Sequence, residues 1–337
     1  MYARVNIRLN IMFRWRRFFS HKQNILGLLI VGFIIFVAAV APWLSPPLDA
    51  ENPGPYNEVR SSFYQMPNPP GPEYILGTVP KPPRALPGVP IGQGIAYQWD
   101  IYHTLVWGTR SALRFGLVVT GLTAVFGIMV GAISGYAGGL INGLAMRVTD
   151  AFLAFPPIAA IWVLDRAIFS HLIDPYGLPI ELNAWQELLL KLDIDAVMVA
   201  LILFSWMPYA RLVNAMVLQV KQAEFVEAAR AMGASNWRVI WHHLLPNAIS
   251  PAIVLAARDV GGLVIMATAF TFIGMGGNIA WGFVLVGGRD YILGLGGNPF
   301  AYWWVFLPIS LALILFSIGW NLLGDGLNDL LNPRSLR

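Results

Sequence analysis

In a chain that is otherwise largely apolar, one short stretch carries residues able to make directional contacts: EFVEAARAMGASNWRVIWHHLLP, Glu224 to Pro246. Glu224 and Glu227 stand three residues apart, so on a helix they share one face, and Arg230 continues it. Two carboxylates and a guanidinium at the rim of an interface offer ion pairs and charge-assisted hydrogen bonds. Ala228, Ala229, Ala231 and Met232 are good helix formers, and Ala228 and Ala229 are small enough to let another surface approach closely. Gly233 fits the left-handed position that ends a helix without a Cβ penalty. Ser235 or Asn236 can cap a second helix through Trp237, Arg238 and Ile240, and Pro246 closes the segment. The spacing predicts helix, tight turn, helix.

Three functions suit that pattern: a solvated loop between membrane spans, a DNA-binding helix-turn-helix, and a docking element for a cytosolic partner. Apolar runs bracket the stretch closely on both sides and argue against DNA. Catalytic constellations are missing. The sequence has no G-x-x-x-x-G-K-[ST], no H-E-x-x-H and no G-x-S-x-G. His242 and His243 are adjacent, and adjacent residues on a helix point apart, which disfavours a metal site. There is no cysteine, hence neither disulfides nor thiolate ligands.

The elements that must position this stretch are membrane spans. Of 337 residues, 57% are hydrophobic and 12% charged, with a mean hydropathy of +0.61. Soluble domains carry about 25% charged residues. The net charge of +4 is explained by Lys and Arg on the cytoplasmic side of a bilayer, without nucleic acid. The expected fold is all-α integral membrane, with about six transmembrane helices.

Residues 1–23 are basic and contain no acid, so they belong in the cytoplasm. The first span occupies 24–44. A signal peptide cleaved after Ala41 competes with it, but Pro42 would follow the cut directly. Residues 45–107, with prolines recurring from Pro46 to Pro90, form a long irregular external segment. It is either a loop packed on the outer face or a docking surface for an external substrate-binding protein. A core of spans fills 108–324, with the polar stretch inside 221–248, and 325–337 returns to the cytoplasm.

Within the core, Phe115 to Ser134 is the second span, whose Gly116, Gly121, Gly127 and Gly131 permit close helix contact. The third runs outward from Arg147 and Asp150, with a kink at Phe155-Pro156-Pro157. Asp150 is either a proton relay or half of an ion pair with Arg147. Ala184 to Leu192 suits a short surface helix, and Ala196 to Val217 the fourth span. Ser250 to Phe272 is the fifth span, in which Arg258 and Asp259 can pair. Residues 274–301 read as a glycine-rich outer loop, and the sixth span runs from Trp303 to Leu323, ended by Gly324-Asp325-Gly326.

Glu227-Ala228-Ala229, then Gly233, then Leu245-Pro246 resembles the EAA box of ATP-binding cassette (ABC) importer permeases. SWMPYARLVNAMVLQVKQAEFVEAARAMGASNWRVIWHHLLPNAISPAIV, GRDYIL and NLLGDGLNDLLNPR are similar to the second permease subunit of dipeptide, oligopeptide and nickel importers. The likeness covers roughly residues 108 to 337 and the first span more loosely. Ile75-Leu76-Gly77-Thr78 matches the start of an outer motif, Val79 and a proline-rich insertion depart from it, and Trp99-Asp100-Ile101 reads as its resumption. Ala267 stands where relatives commonly carry glutamate.

The resemblance implies a type I ABC importer-like fold in a prokaryotic plasma (inner) membrane, multi-pass, with both termini cytoplasmic. It implies that Glu224, Glu227, Ala228, Ala229, Arg230, Gly233, Ala234, Trp237, Leu245 and Pro246 couple the chain to an ATPase. Implied partners are a second homologous permease subunit, one or two ATP-binding subunits, an extracytoplasmic substrate-binding protein and membrane lipid. No cofactor is expected on this chain, and ATP hydrolysis belongs to a separate one. Peptide is the implied substrate, with nickel, glutathione-like compounds and sugars open. An ion-gradient-driven secondary transporter is the rival, though the spans offer it only Asp150, Arg211, Arg258 and Asp259.

Overall fold

The structure, a computed structural model, describes residues 18–51, 53–60, 66–80, 97–169, 183–275, 277–294 and 297–331. Helix α1 (Lys22–Leu44) turns Gly27, Val31, Ile34, Ala38 and Ala41 inward at helical spacing. Leu29, Phe33 and Phe36 on its other side are more than half exposed, as a lipid-facing stripe must be.

Among the described residues of 45–107 there are three short strands, β1 (Glu58–Arg60), β2 (Thr78–Pro80) and β3 (Tyr97–Asp100), in the order β1-β3-β2, antiparallel throughout. Thr78 pairs with Asp100 and Val79 with Trp99. The two halves of the interrupted outer motif therefore lie side by side. The insertion between them, residues 81–96, lies outside the described residues, and so do the basic residues 1–17.

Helix α2 (Ile101–Ala137) has 37 residues and starts well before the expected Phe115. Asp100 explains the early start, since its carboxylate accepts from the backbone N–H groups of Tyr102 (2.9 Å) and His103 (3.4 Å). At 1.5 Å per residue such a helix outruns a hydrocarbon core of about 30 Å, so its N-terminal end reaches beyond the core and joins the strands of residues 45–107.

Helices α3 (Gly139–Ala154) and α4 (Pro157–Leu164, prolonged by a π-helical turn, Asp165–Phe169) are bent by 76° at the expected proline pair. Phe155 and Pro156 each precede a proline and take extended ψ values of 128° and 121°, which breaks the helix outright. Helix α5 (Ala184–Lys191) is the expected surface helix. The fourth span is α6 (Ala196–Phe204) followed by α7 (Met207–Val220), with Pro208 in the first turn of the second piece. Helix α8 (Glu224–Ala231), α9 (Asn236–Arg238), a π-helical turn (Val239–Leu244) and α10 (Leu245–Ala248) follow. Then come α11 (Ser250–Ile273), α12 (Ala280–Leu293) and α13 (Trp303–Leu331). By length and apolarity five spans qualify, and the bent α3–α4 pair makes six.

The most extensive helix contact is between α2 and α7, and small residues make it possible. A Cβ on Gly127 would lie 2.6 Å from the Tyr209 Cβ, and one on Gly135 would lie 3.1 Å from the Asn214 carbonyl oxygen. Gly131 between them faces Ala210 and Asn214 in the same way. Gly116 instead faces Val260 of α11, whereas Gly121 faces open space and makes no such contact.

Several expectations are corrected. Residues 274–301 are not chiefly a loop, because α12 fills the middle and Trp281 is buried, donating from Nε1 to the Leu105 carbonyl at 3.2 Å. Gly324-Asp325-Gly326 does not end the last span, which runs to Leu331. These glycines make room for Arg258 and Phe18 against the helix. Arg258 pairs with Asp325 across α11 and α13, while Asp259 accepts from the Tyr209 hydroxyl at 2.6 Å. As consecutive residues, Arg258 and Asp259 leave the helix in different directions and cannot meet. Asp150 pairs with Arg211 of α7 at 3.5 Å, not with Arg147.

Candidate functional site

The polar stretch folds as one compact unit. Glu224 and Glu227 lie in the first turn of α8 and Arg230 in its last, so each charge opposes the helix dipole. Val226 and Ala229, three residues apart, turn inward. They join Val239, Ile240, Leu244, Leu245 and Ala248 in a cluster that includes Tyr209, Val213 and Val217 of α7. The segment is therefore anchored to the C-terminal half of the fourth span by buried apolar surface.

The turn is built as its sequence requires. Gly233 has φ +81°, the left-handed region where a side chain is strained. Its N–H donates to the Arg230 carbonyl at 2.9 Å, and the Ala234 N–H donates to the Ala229 carbonyl at 3.0 Å. That pair of bonds is a Schellman closure. Ser235 then caps α9, its hydroxyl accepting from the Arg238 N–H at 3.4 Å. The second piece departs from the expected regular helix, passing through the π-helical turn into α10. Pro246 does not close it but occupies the first turn of α10, where its missing N–H costs nothing.

A second tie runs to the C-terminal end of α2. The Tyr136 hydroxyl donates to Asn236 Oδ1 at 2.6 Å. The Arg230 guanidinium lies 5.1 Å from the Tyr136 ring centre and the Lys221 ammonium 5.5 Å. Lys221 also donates to the Tyr136 carbonyl at 2.5 Å. One tyrosine thus touches the residue after α7, the end of α8 and the start of α9.

Two comparisons with known sequences bear on this unit. Residues 127–337 match the family described as binding-protein-dependent transport system inner membrane component. Residues 13–67 match the N-terminal transmembrane domain of oligopeptide transport permease C. The chain belongs to the binding-protein-dependent transport permeases. Among relatives, the probable D,D-dipeptide transport system permease protein DdpC of Escherichia coli (strain K12) is 30% identical over 239 residues, covering 70% of each chain. The dipeptide transport system permease protein DppC of Alkalihalophilus pseudofirmus is 29% identical over 327 residues, covering 95% of this chain and 90% of the relative. A chain of the inward-facing MetNI methionine ABC transporter aligns with TM-score 0.47 and 22% identity over 66% of this chain and 93% of its own.

This permease is accordingly a multi-pass inner-membrane transport subunit, and membership of the family sets aside the secondary-transporter reading. Its polar unit divides the expected contact residues into two sets. Glu224, Glu227, Ala228, Arg230, Gly233, Trp237 and Pro246 are exposed. Ala229, 3% exposed, and Leu245, 8% exposed, are committed to the permease's own core, and Ala234 is half-buried against it. Arg230 is shared with Tyr136 and is not free for a partner alone.

The sequence reading missed two exposed apolar residues. Phe225 is 46% exposed and Met232 83%, flanking the acidic face and the turn, with Trp237 beside Trp241 (ring centres 5.1 Å apart) next to them. Their type alone does not separate a core residue from a presented one, and only the inward direction of Val226 and Ala229 decides it. Among the described residues, no group of three or more His, Asp or Glu is placed to hold a metal ion.

Proposed function

We propose that this permease forms half of the translocation pathway of an ATP-driven importer of peptides. The surface of α8, the Gly233 turn and α9 is the seat of a separate ATP-binding subunit. The observation that carries this reading is the two-faced polar unit: buried apolar residues fix it to α7, and Phe225, Met232 and Trp237 stand out among Glu224 and Glu227. An apolar centre rimmed by charge is the composition of a docking surface. A rigid unit tied to two spans passes displacement on to them.

The printed names of the relatives support peptide as the substrate. The basic residues 1–23 support a cytoplasmic N-terminus, and an even number of spans returns the C-terminus to the same side. A second homologous permease completes the pathway, one or two ATP-binding subunits power it, and an extracytoplasmic binding protein delivers substrate to the face carrying residues 45–107.

Co-expression with candidate neighbouring subunits, purification in detergent and an ATPase assay test the reading. An ATP-binding subunit and a second permease are expected to co-purify, and Gly233→Asp to abolish substrate-stimulated ATP hydrolysis with the chain still inserted. A chain that purifies alone and stable, or a Gly233→Asp variant with wild-type uptake at wild-type protein level, refutes it.

A further inference from the structure

At the opposite end of the molecule from the Gly233 turn, a hollow of about 860 Å³ lies between the external segment and the outer end of α2. Its size falls within the roughly 300–1,000 Å³ of small-ligand sites. Part of its wall is aromatic, and the carboxylates of Glu58 and Asp193 also line it. Tyr56 stacks on Trp99 at 4.8 Å, and Phe283 stands edge-on to both at 6.3 Å. Trp107 is pinned by its Nε1 donating to the Ser45 carbonyl at 2.8 Å.

Two guanidiniums line the hollow, and they differ in what they already hold. Arg114 is occupied: it lies 3.7 Å from the Asp193 carboxylate and donates to the Leu192 carbonyl at 2.6 Å. Asp193 is itself fixed, accepting from Asn278 Nδ2 at 3.2 Å, and is the one non-glycine residue with positive φ (+51°) among the described residues. Arg110, one turn earlier on α2, has its guanidinium 5.1 Å from the Trp107 ring centre. No carboxylate pairs with it among the described residues. A planar cation held on a fixed indole, with its N–H fork unspent among the described residues and a hollow beside it, matches a carboxylate in both charge and geometry.

The geometry points to a carboxylate-binding site in which Arg110 takes the C-terminal carboxylate of a short peptide and the rings of Tyr56, Trp99 and Phe283 hold its side chains. This rests on the peptide reading above. It adds a specificity element on the outer face of the permease itself, apart from any binding protein.

The test uses the assembled importer, this permease co-purified with its partner permease and ATP-binding subunits, in lipid nanodiscs, and isothermal titration with trialanine and with trialanine carboxamide. Wild type is expected to bind the acid about tenfold or more tightly than the amide, since a charge-assisted pair is at stake. Arg110→Gln is expected to bring the two together at the weaker value. Equal wild-type affinity for acid and amide, or an Arg110→Gln variant that keeps the preference, overturns the site. If the preference is absent and Arg110→Gln instead weakens capture of the extracytoplasmic binding protein, the hollow is a docking surface and the proposal fails.

Trialanine uptake by the reconstituted importer separates the two readings. A raised KM with unchanged kcat in Arg110→Gln supports the site. Unchanged kinetics sink it while leaving peptide import standing, and absence of any peptide uptake by wild type sinks peptide import.

Discussion

Removing Tyr136 tests whether the polar unit drives the spans as a rigid body. Its hydroxyl bond to Asn236 is worth about 0.5–1.5 kcal/mol net. Each cation over the ring, Arg230 and Lys221, adds about 0.5–1 kcal/mol at an exposed site. Tyr136→Phe keeps the ring and loses only the hydroxyl, loosening the tie by about 1 kcal/mol, or roughly fivefold in the ratio of tied to released states. Tyr136→Ala loses all three contacts, about 1.5–3.5 kcal/mol, so the released state competes with the tied one. The fold itself is held by the glycine-lined α2–α7 contact and survives. The assay is ATP hydrolysis and peptide uptake measured together in proteoliposomes. Peptide moved per ATP is expected to fall slightly in Tyr136→Phe and steeply in Tyr136→Ala, with ATPase-subunit binding retained. An unchanged ratio in Tyr136→Ala would refute the idea that displacement reaches α2 through this side chain.

Other expectations follow from single features. Gly131→Leu forces α2 away from Ala210 and Asn214 and costs about 1–3 kcal/mol or more, read as a lower Tm in detergent, whereas Gly121→Leu, with open space at that position, leaves Tm unchanged. Met232→Asp on the presented turn is expected to weaken co-purification of the ATP-binding subunit without shifting Tm, because Met232 is 83% exposed and buries little in the permease. Asp195 caps α6, accepting from the Met198 and Asn278 N–H groups at 2.7 and 2.6 Å, yet burial raises its carboxyl above the ordinary 3.8. The native state therefore holds this proton more tightly than the unfolded chain. Its contribution to stability is most favourable below pH 3.8 and declines as pH rises toward the elevated native value. Asp195→Asn is expected to flatten that part of a pH–Tm profile measured on the purified complex.

The sequence alone determined what depends on near neighbours. Hydropathy located the spans, to within a residue for Ser250–Ile273, because a bilayer demands a continuous apolar run whatever it later packs against. Gly233, Ser235 and the Pro156-Pro157 pair were legible because left-handed φ, a hydroxyl cap and the steric effect of proline are properties of one to four residues. Tertiary structure alone decided which charges meet and which surfaces remain. Arg258 chose Asp325, 67 residues away, over its neighbour Asp259. The start of α2 depended on Asp100, and the aromatic hollow on residues drawn from four separate parts of the chain. The division between buried Ala229 and exposed Phe225 and Met232 likewise appeared only once α8 had packed on the π-helical turn and α7. In a membrane protein most side chains are apolar, so composition cannot separate those that face lipid, core or partner. That choice is made by where the other helices lie.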